Sequence, residues 1–191
     1  ILQRGESDNG GGDNGGGADA SGLVGSWSIA AEAGALGVGP AQGDISWWSN
    51  SEEDVATRAC FFDDTFVFGT DGSFANVMGE STWIEGWQGG DDGCGTPVYP
   101  HNGAATDYTY VHDANAGTIT LNGVGAHLGV SKVYNEGEMT SVSEAAGIES
   151  ITYTIVKMEA TRMEASKVGQ ERGDSYWFDG RPLVPTRPLA K

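Results

Sequence analysis

The sequence predicts an all-β fold of about eight mostly antiparallel strands, forming a barrel or sandwich with one short helix. Three observations carry that prediction. Thirty-one glycines against six prolines favour a turn-rich β chain over a helical bundle. Apolar runs with a two-residue alternation recur along the chain, and several are joined by tight turn signals. At 191 residues the chain suits one domain plus a tail and can bury a substantial core.

Residues 1–21, "ILQRGESDNGGGDNGGGADAS", are a tract of Gly, Asp and Asn with almost nothing to bury, which reads as a flexible linker. Asp8, Asp13 and Asp19 lack the spacing of an EF-hand loop, so the tract is read as a tether and not a metal site. Such a tether holds a domain away from a membrane anchor or from a neighbouring domain. A start at Ile1 with no leader pattern fits a mature or trimmed form. Residues 22–180 form the single β domain, and 181–191, "RPLVPTRPLAK", a Pro-rich basic tail.

The domain opens on "GLVGSWSIA", a strand with Trp27 in the core. A Gly-rich loop and the pair Trp47-Trp48 follow. Asn50 stands three residues before Glu53, which marks the start of a short helix. "FFDDTFVFGTDGSFANVMG" is a hairpin turning at Asp71-Gly72. "STWIEGWQGGDDGCGTPVYPHNGAA" reads as a long aromatic-bearing loop region. In the next hairpin, the Tyr108/Tyr110 alternation runs into a turn and then Ile119/Leu121. "SITYTIVKMEATRMEASKV" gives two strands around a turn near Glu159 to Thr161, and "DSYWFDG" a candidate last strand.

Acidic residues number 27 and basic ones 10, a formal charge of −17. Nucleic acid and anionic membrane surfaces are repelled by such a field, and neither is expected as a partner. Salt screens the repulsion, so the balance suits a saline extracellular medium. No stretch approaches the ~20 apolar residues of a membrane span, and no direct insertion of the domain is expected. Cys60 and Cys94 form no CxxC motif. In an exported protein they are expected to make one disulfide; the competing reading is two reduced, buried thiols.

Trp47, Trp48, Trp83, Trp87, Tyr99 and His101 fall in segments rich in Gly, Asp, Ser and Asn. Sugar rings have apolar C–H faces that stack on such side chains, and their hydroxyls need carboxylate and amide partners. Asp44, Asn50, Glu85, Gln88, Asp91, Asp92 and Asn102 are available for that, and Gln88 and Asp91 are taken as the candidates. The competing reading is that these rings cap the barrel ends as core. Neighbours in an extended segment point to opposite faces, so one of Trp47 and Trp48 is core and the other faces outward, with Trp48 expected outside. Trp83 and Trp87, evenly spaced, would share one face of an extended segment, and Gly86 argues against a helix there.

No catalytic residues are assigned. Glu80 with Glu85, and Asp63 with Asp64, are chance neighbours among 27 acids, and no G-x-S-x-G, HExxH or phosphate-cradling loop is present. His101, His112 and His127 are well separated, so neither a metal site nor a cofactor is expected, a structural calcium at Asp63 or Asp64 being the alternative.

"LVGSWSIAAEAGALGVGPAQGDISWWSNSEEDVATRACFFDDTFVFGTDGSF", "TWIEGWQGGDDGCGTPVYPHNG" and "YTYVHDANAGTITLNGVGAHLGVSKVYN" carry a family resemblance over about residues 22–158. Its most specific pieces are Trp47-Trp48, Arg58-Ala59-Cys60 and Trp83 through Pro97. The chain resembles an accessory module of marine Bacteroidota, attached to secreted or surface glycan-degrading proteins such as family-sixteen glycoside hydrolases, laminarinase-like enzymes and surface lipoproteins. The resemblance implies a β-rich, noncatalytic, carbohydrate-binding module, exported and tethered beside a catalytic domain or surface complex. Similar modules close with a Trp-Trp-x-Phe strand, of which only Tyr176-Trp177-Phe178 remains here.

The expectation is a noncatalytic binder of a polysaccharide or oligosaccharide, for choice a neutral β-glucan. One alternative is a small glycan-active enzyme. The other is a lipocalin-like barrel holding a small apolar ligand, on the strength of Gly25-x-Trp27 in the opening strand.

Overall fold

Two-residue alternation organises the chain in the computed structural model, which describes residues 1–4, 22–135, 137–168 and 175–176. Eight strands form the main sheet. They are β1 (Leu2–Arg4), β2 (Gly25–Ile29), β3 (Thr65–Phe68), β4 (Phe74–Val77), β5 (Thr109–Asp113), β6 (Thr118–Asn122), β7 (Ser150–Met158) and β8 (Arg162–Val168). Each pairs antiparallel with the next, apart from the β4–β5 seam, and β8 returns to β1 with Leu2 opposite Met163. That seam is held at one end only, by the Ser73–Thr109 bridge and by bonds from Phe74 N to Tyr108 O and from Tyr110 N to Gly72 O, both 2.9 Å. The result is a nearly closed up-and-down barrel, the all-β architecture the sequence predicts.

The alternate residues that turn inward are large and apolar. Leu2, Trp27, Ile29, Phe66, Phe68, Phe74, Ile119, Leu121, Ile151, Tyr153 and Met163 are none of them more than 3% exposed. Side chains therefore fill the barrel as a packed core. Local chemistry makes the tight turns. Gly72 and Gly117 take φ of 82° and 66°, which a Cβ would resist, and Asp71 and Asp113 accept backbone N–H groups two residues on. Both expected hairpins and the β7–β8 pair are present, the latter with a register shift between Ile155 and Lys157.

Those turns lie at one end of the barrel. At the other end three long connections emerge, residues 30–64, 78–108 and 123–149. Every predicted site residue, and both cysteines, lies on the first two.

Three expectations are corrected. Leu2–Arg4 is not linker: Leu2 fills the slot between β2 and β8, and the Arg4 guanidinium lies 5.0 Å from the centre of the Trp27 ring. The rest of the expected linker, residues 5–21, lies outside the described residues, as do Trp177, Phe178 and the tail at 181–191. The candidate last strand is present at Ser175–Tyr176, which pairs with both β8 and Gly37–Gly39. α-Helices number three among the described residues, not one: α1 (Glu52–Thr57), α2 (Ala59–Phe62) and α3 (Val142–Ala145).

Finally, α1 starts one residue later than expected. Ser51 caps it, accepting from Asp54 N at 3.1 Å while Asp54 accepts from Ser51 N at 2.9 Å. Asn50 instead clamps the Gly-rich loop, accepting from Leu36 N at 2.8 Å and donating to Glu32 O at 2.9 Å. Asn50→Ala removes both of these buried bonds, and the expected loss is about 1–3 kcal/mol in urea unfolding. A loss within error would show that the loop holds its shape without the clamp.

Candidate functional site

The connection 78–108 folds back on itself as a small hairpin. Thr82–Ile84 pairs with Gly93–Gly95, and between them Gly86–Gln88 makes a single 3-10 turn. The turn is fastened from both sides: Glu85 N donates to Gln88 Oε1 at 3.0 Å, and Gly86 N to Asp92 Oδ1 at 2.8 Å. Gly89, with φ of 93°, ends it. The segment is thus not extended throughout, because these side chains satisfy a turn that the glycines make sterically cheap. Cys60 on α2 and Cys94 in the hairpin form the expected disulfide, tying connection 78–108 to connection 30–64.

The tryptophan pair splits, with its orientation opposite to expectation. Trp48 pairs with Val38, a fully buried residue, and so shares its inward face. Its half-buried ring packs against Val38 and Val133. Trp47 is the outward ring, 52% exposed. Arg58, itself buried, places its guanidinium 4.6 Å from the Trp83 ring and 5.9 Å from that of Trp48, a cation–π contact joining the two connections.

Around Trp83 the structure gathers Glu85, Gln88, His101 and His127 about a cavity of about 20 Å³, the space a water's centre can occupy. The His101 ring meets Trp87 at 5.7 Å and His127 at 5.1 Å, both edge-on. Glu85 Oε2 accepts from the Trp87 indole at 2.9 Å. Beside this cluster an open groove of about 410 Å³ runs along the hairpin, lined by Ile84, Gln88, Asp91, Asp92, Thr96 and Val98. Tyr99, next in the chain after the Val98 wall, is 61% exposed.

The predicted set therefore divides. Trp83, Trp87, Gln88 and His101 come together, half-buried or buried, with Gln88 also bordering the groove where Asp91 is exposed. Trp47 and Tyr99 stay open to solvent. Sequence reasoning missed the partnership of His127 with His101 and the burial of Arg58 and Asp64. For His127 the signal was its apolar company in "AHLGV"; for Arg58 and Asp64 no local pattern announces burial.

Burial also sets the electrostatics. Asp64 is pushed up to about 8 by burial and, less, by Asp63, against a 2.5 Å bond from the Thr82 hydroxyl. For Glu85, burial outweighs the Trp87 hydrogen bond and the Lys132 and Arg58 charges, and its carboxyl is raised. Burial, helped by His127, holds His101 down at about 2. His127 is held at about 4 by burial, against its bond to the Gly125 carbonyl. Among the described residues no group of three His, Cys, Asp or Glu is placed to hold a metal ion, and no helix is long and apolar enough to cross a membrane.

A pH dependence follows. Asp64 titrates at about 8 folded and 3.8 free, so its contribution is full below 3.8 and lost as pH rises to about 8. His127 titrates at about 4 folded and 6.5 free, so its contribution is full above 6.5 and lost as pH falls to about 4. The buried Ile1 amino group, held down at about 5 by burial, pulls the other way between pH 5 and 8, so the Asp64 contribution is read as a difference: the melting temperature of the parent relative to Asp64→Asn is expected to fall between pH 6.5 and 8. Equal alkaline slopes in both proteins would contradict the assignment.

Comparison of the chain with known protein families, with curated proteins and with solved structures gives no match.

Proposed function

We propose that this protein is a noncatalytic carbohydrate-binding module, taking a neutral β-glucan at the loop-bearing end of the barrel. The observation that carries the reading is the exposure of two large rings there, Trp47 and Tyr99. Each offers a flat face on which a pyranose can lie. The groove beside Tyr99 supplies Asp91 and Gln88 for sugar hydroxyls. It is open to solvent, which suits a polymer that extends past it better than an enclosed small molecule. The charge of −17 disfavours sulfated and uronic polymers. An exported module tethered to a secreted or surface glycan-degrading system accords with the disulfide and the acidic surface.

Two observations weigh against the alternatives. The carboxyls with raised proton affinity, Asp64 and Glu85, are only 4% and 3% exposed, so a glycan bound at the surface does not reach them. The barrel interior is filled by side chains, which leaves an apolar ligand little room.

Affinity gel electrophoresis against laminarin and other neutral and acidic polysaccharides tests the reading. Laminarin is expected to retard the parent protein, with no new reducing ends appearing on incubation. Trp47→Ala and Tyr99→Ala should each weaken retardation about tenfold, a loss of roughly 1.4 kcal/mol per stacked ring, with the melting temperature unchanged. Retardation by no polysaccharide, or by every one alike in both variants, would end the proposal.

A further inference from the structure

The cavity beneath the hairpin is lined by three side chains that each carry a buried polar atom the folded chain leaves without a partner. These atoms are Trp83 Nε1, Glu85 Oε1 and His101 Nδ1. Glu85 and His101 are each 3% exposed, and all three side chains line the cavity. A buried polar group without a hydrogen bond costs about 1–3 kcal/mol, so three around one cavity call for a common explanation.

The size and the donor–acceptor balance select the guest. A volume of about 20 Å³ open to a water's centre admits a water and is too small for a sugar ring. The indole N–H only donates, the Glu85 oxygen accepts, and a neutral imidazole nitrogen does either according to its tautomer. A cation would face the indole N–H, and an anion would face the Glu85 carboxylate. A dipolar guest matches all three. We propose that this cavity is a binding site for one water molecule, which accepts from Trp83 Nε1 and donates to Glu85 Oε1 and His101 Nδ1. The low proton affinity of buried His101 keeps its ring neutral and available for that bond.

The water ties the strand Thr82–Ile84 and the 3-10 turn to His101, at the far end of the same connection. Its opposite walls, Phe61 and His127, come from the other two connections, so it completes the packing where all three meet. The inference stands independently of any glycan ligand.

Two measurements on the unmodified protein test it. In NMR with assigned indole resonances, the Trp83 N–H should show a direct cross-peak to water. The peak should have opposite signs in laboratory-frame and rotating-frame experiments, as for a water resident longer than molecular tumbling. A crystal structure at atomic resolution should show one density peak within hydrogen-bond distance of Glu85 Oε1 and His101 Nδ1. A direct Glu85–His101 bond with the cavity closed would overturn the proposal. So would an empty cavity, or a peak with an anomalous signal of a metal.

Discussion

Replacing Trp27 by alanine should lower the stability of the barrel by about 3–5 kcal/mol, the range for deleting a buried aromatic from a core. The indole is wholly buried in β2, in register with Phe66 on one side and Arg4 on the other. Its Nε1 donates to Leu23 O at 2.7 Å, which fixes the ring, and the Arg4 guanidinium lies 5.0 Å from the ring centre. Alanine therefore removes apolar area, one buried hydrogen bond and a cation–π contact together, and leaves a cavity that neighbouring strands cannot fill without breaking register. For a chain of this size the melting temperature should drop by roughly 6–20 °C. Trp27→Phe separates the terms: it keeps most of the ring and loses the N–H, so its cost should be nearer 1–2 kcal/mol. Thermal and urea unfolding of both variants decide the matter. A loss below about 1 kcal/mol in Trp27→Ala would mean that the indole does not anchor β1 to β2.

How legible the molecule is from sequence depends on how local each cause is. The Asp71-Gly72 hairpin and the β5–β6 hairpin are readable because a turn residue with positive φ and its flanking apolar alternation sit within a few positions of each other. Trp27 is readable as core because its strand alternates around it. Leu2 is not, because its partners are Ile29 and Met163, and nothing in a Gly/Asp tract signals a strand that closes a barrel. The Trp47/Trp48 choice turns on register with Val38, where a one-residue slip exchanges the faces. The cysteine pairing is legible from composition and the expectation of export. The cluster of Glu85, His101 and His127 is not, since it forms only where separate connections converge. Exposed Trp47 and Tyr99 were both among the candidate rings, but their solvent access depends on packing that no spacing encodes.

Removing the disulfide by Cys60→Ser with Cys94→Ser should cost roughly 3–4 kcal/mol, from the loop-closure entropy of cysteines 34 positions apart. Its effect should also reach binding, which distinguishes it from Trp27→Ala. The bond joins α2 to the hairpin Thr82–Ile84/Gly93–Gly95, and the hairpin carries the groove wall that leads to Tyr99. Without it, the hairpin keeps its short ladder, the packing of Trp83 on Arg58 and the hydrogen bond from Thr82 to Asp64, with no covalent tie to connection 30–64. The groove then samples more conformations, and under the proposed function a glycan would have to order it on binding, so affinity is expected to fall even at temperatures where the barrel is folded. The expected signature is a melting temperature lowered by roughly 6–16 °C together with weaker retardation by laminarin well below that transition. Trp47→Ala should give the second effect without the first, and Trp27→Ala the first with little of the second. A double serine variant that melts early yet binds laminarin as tightly as the parent would place the glycan surface away from the hairpin, on the side of Trp47.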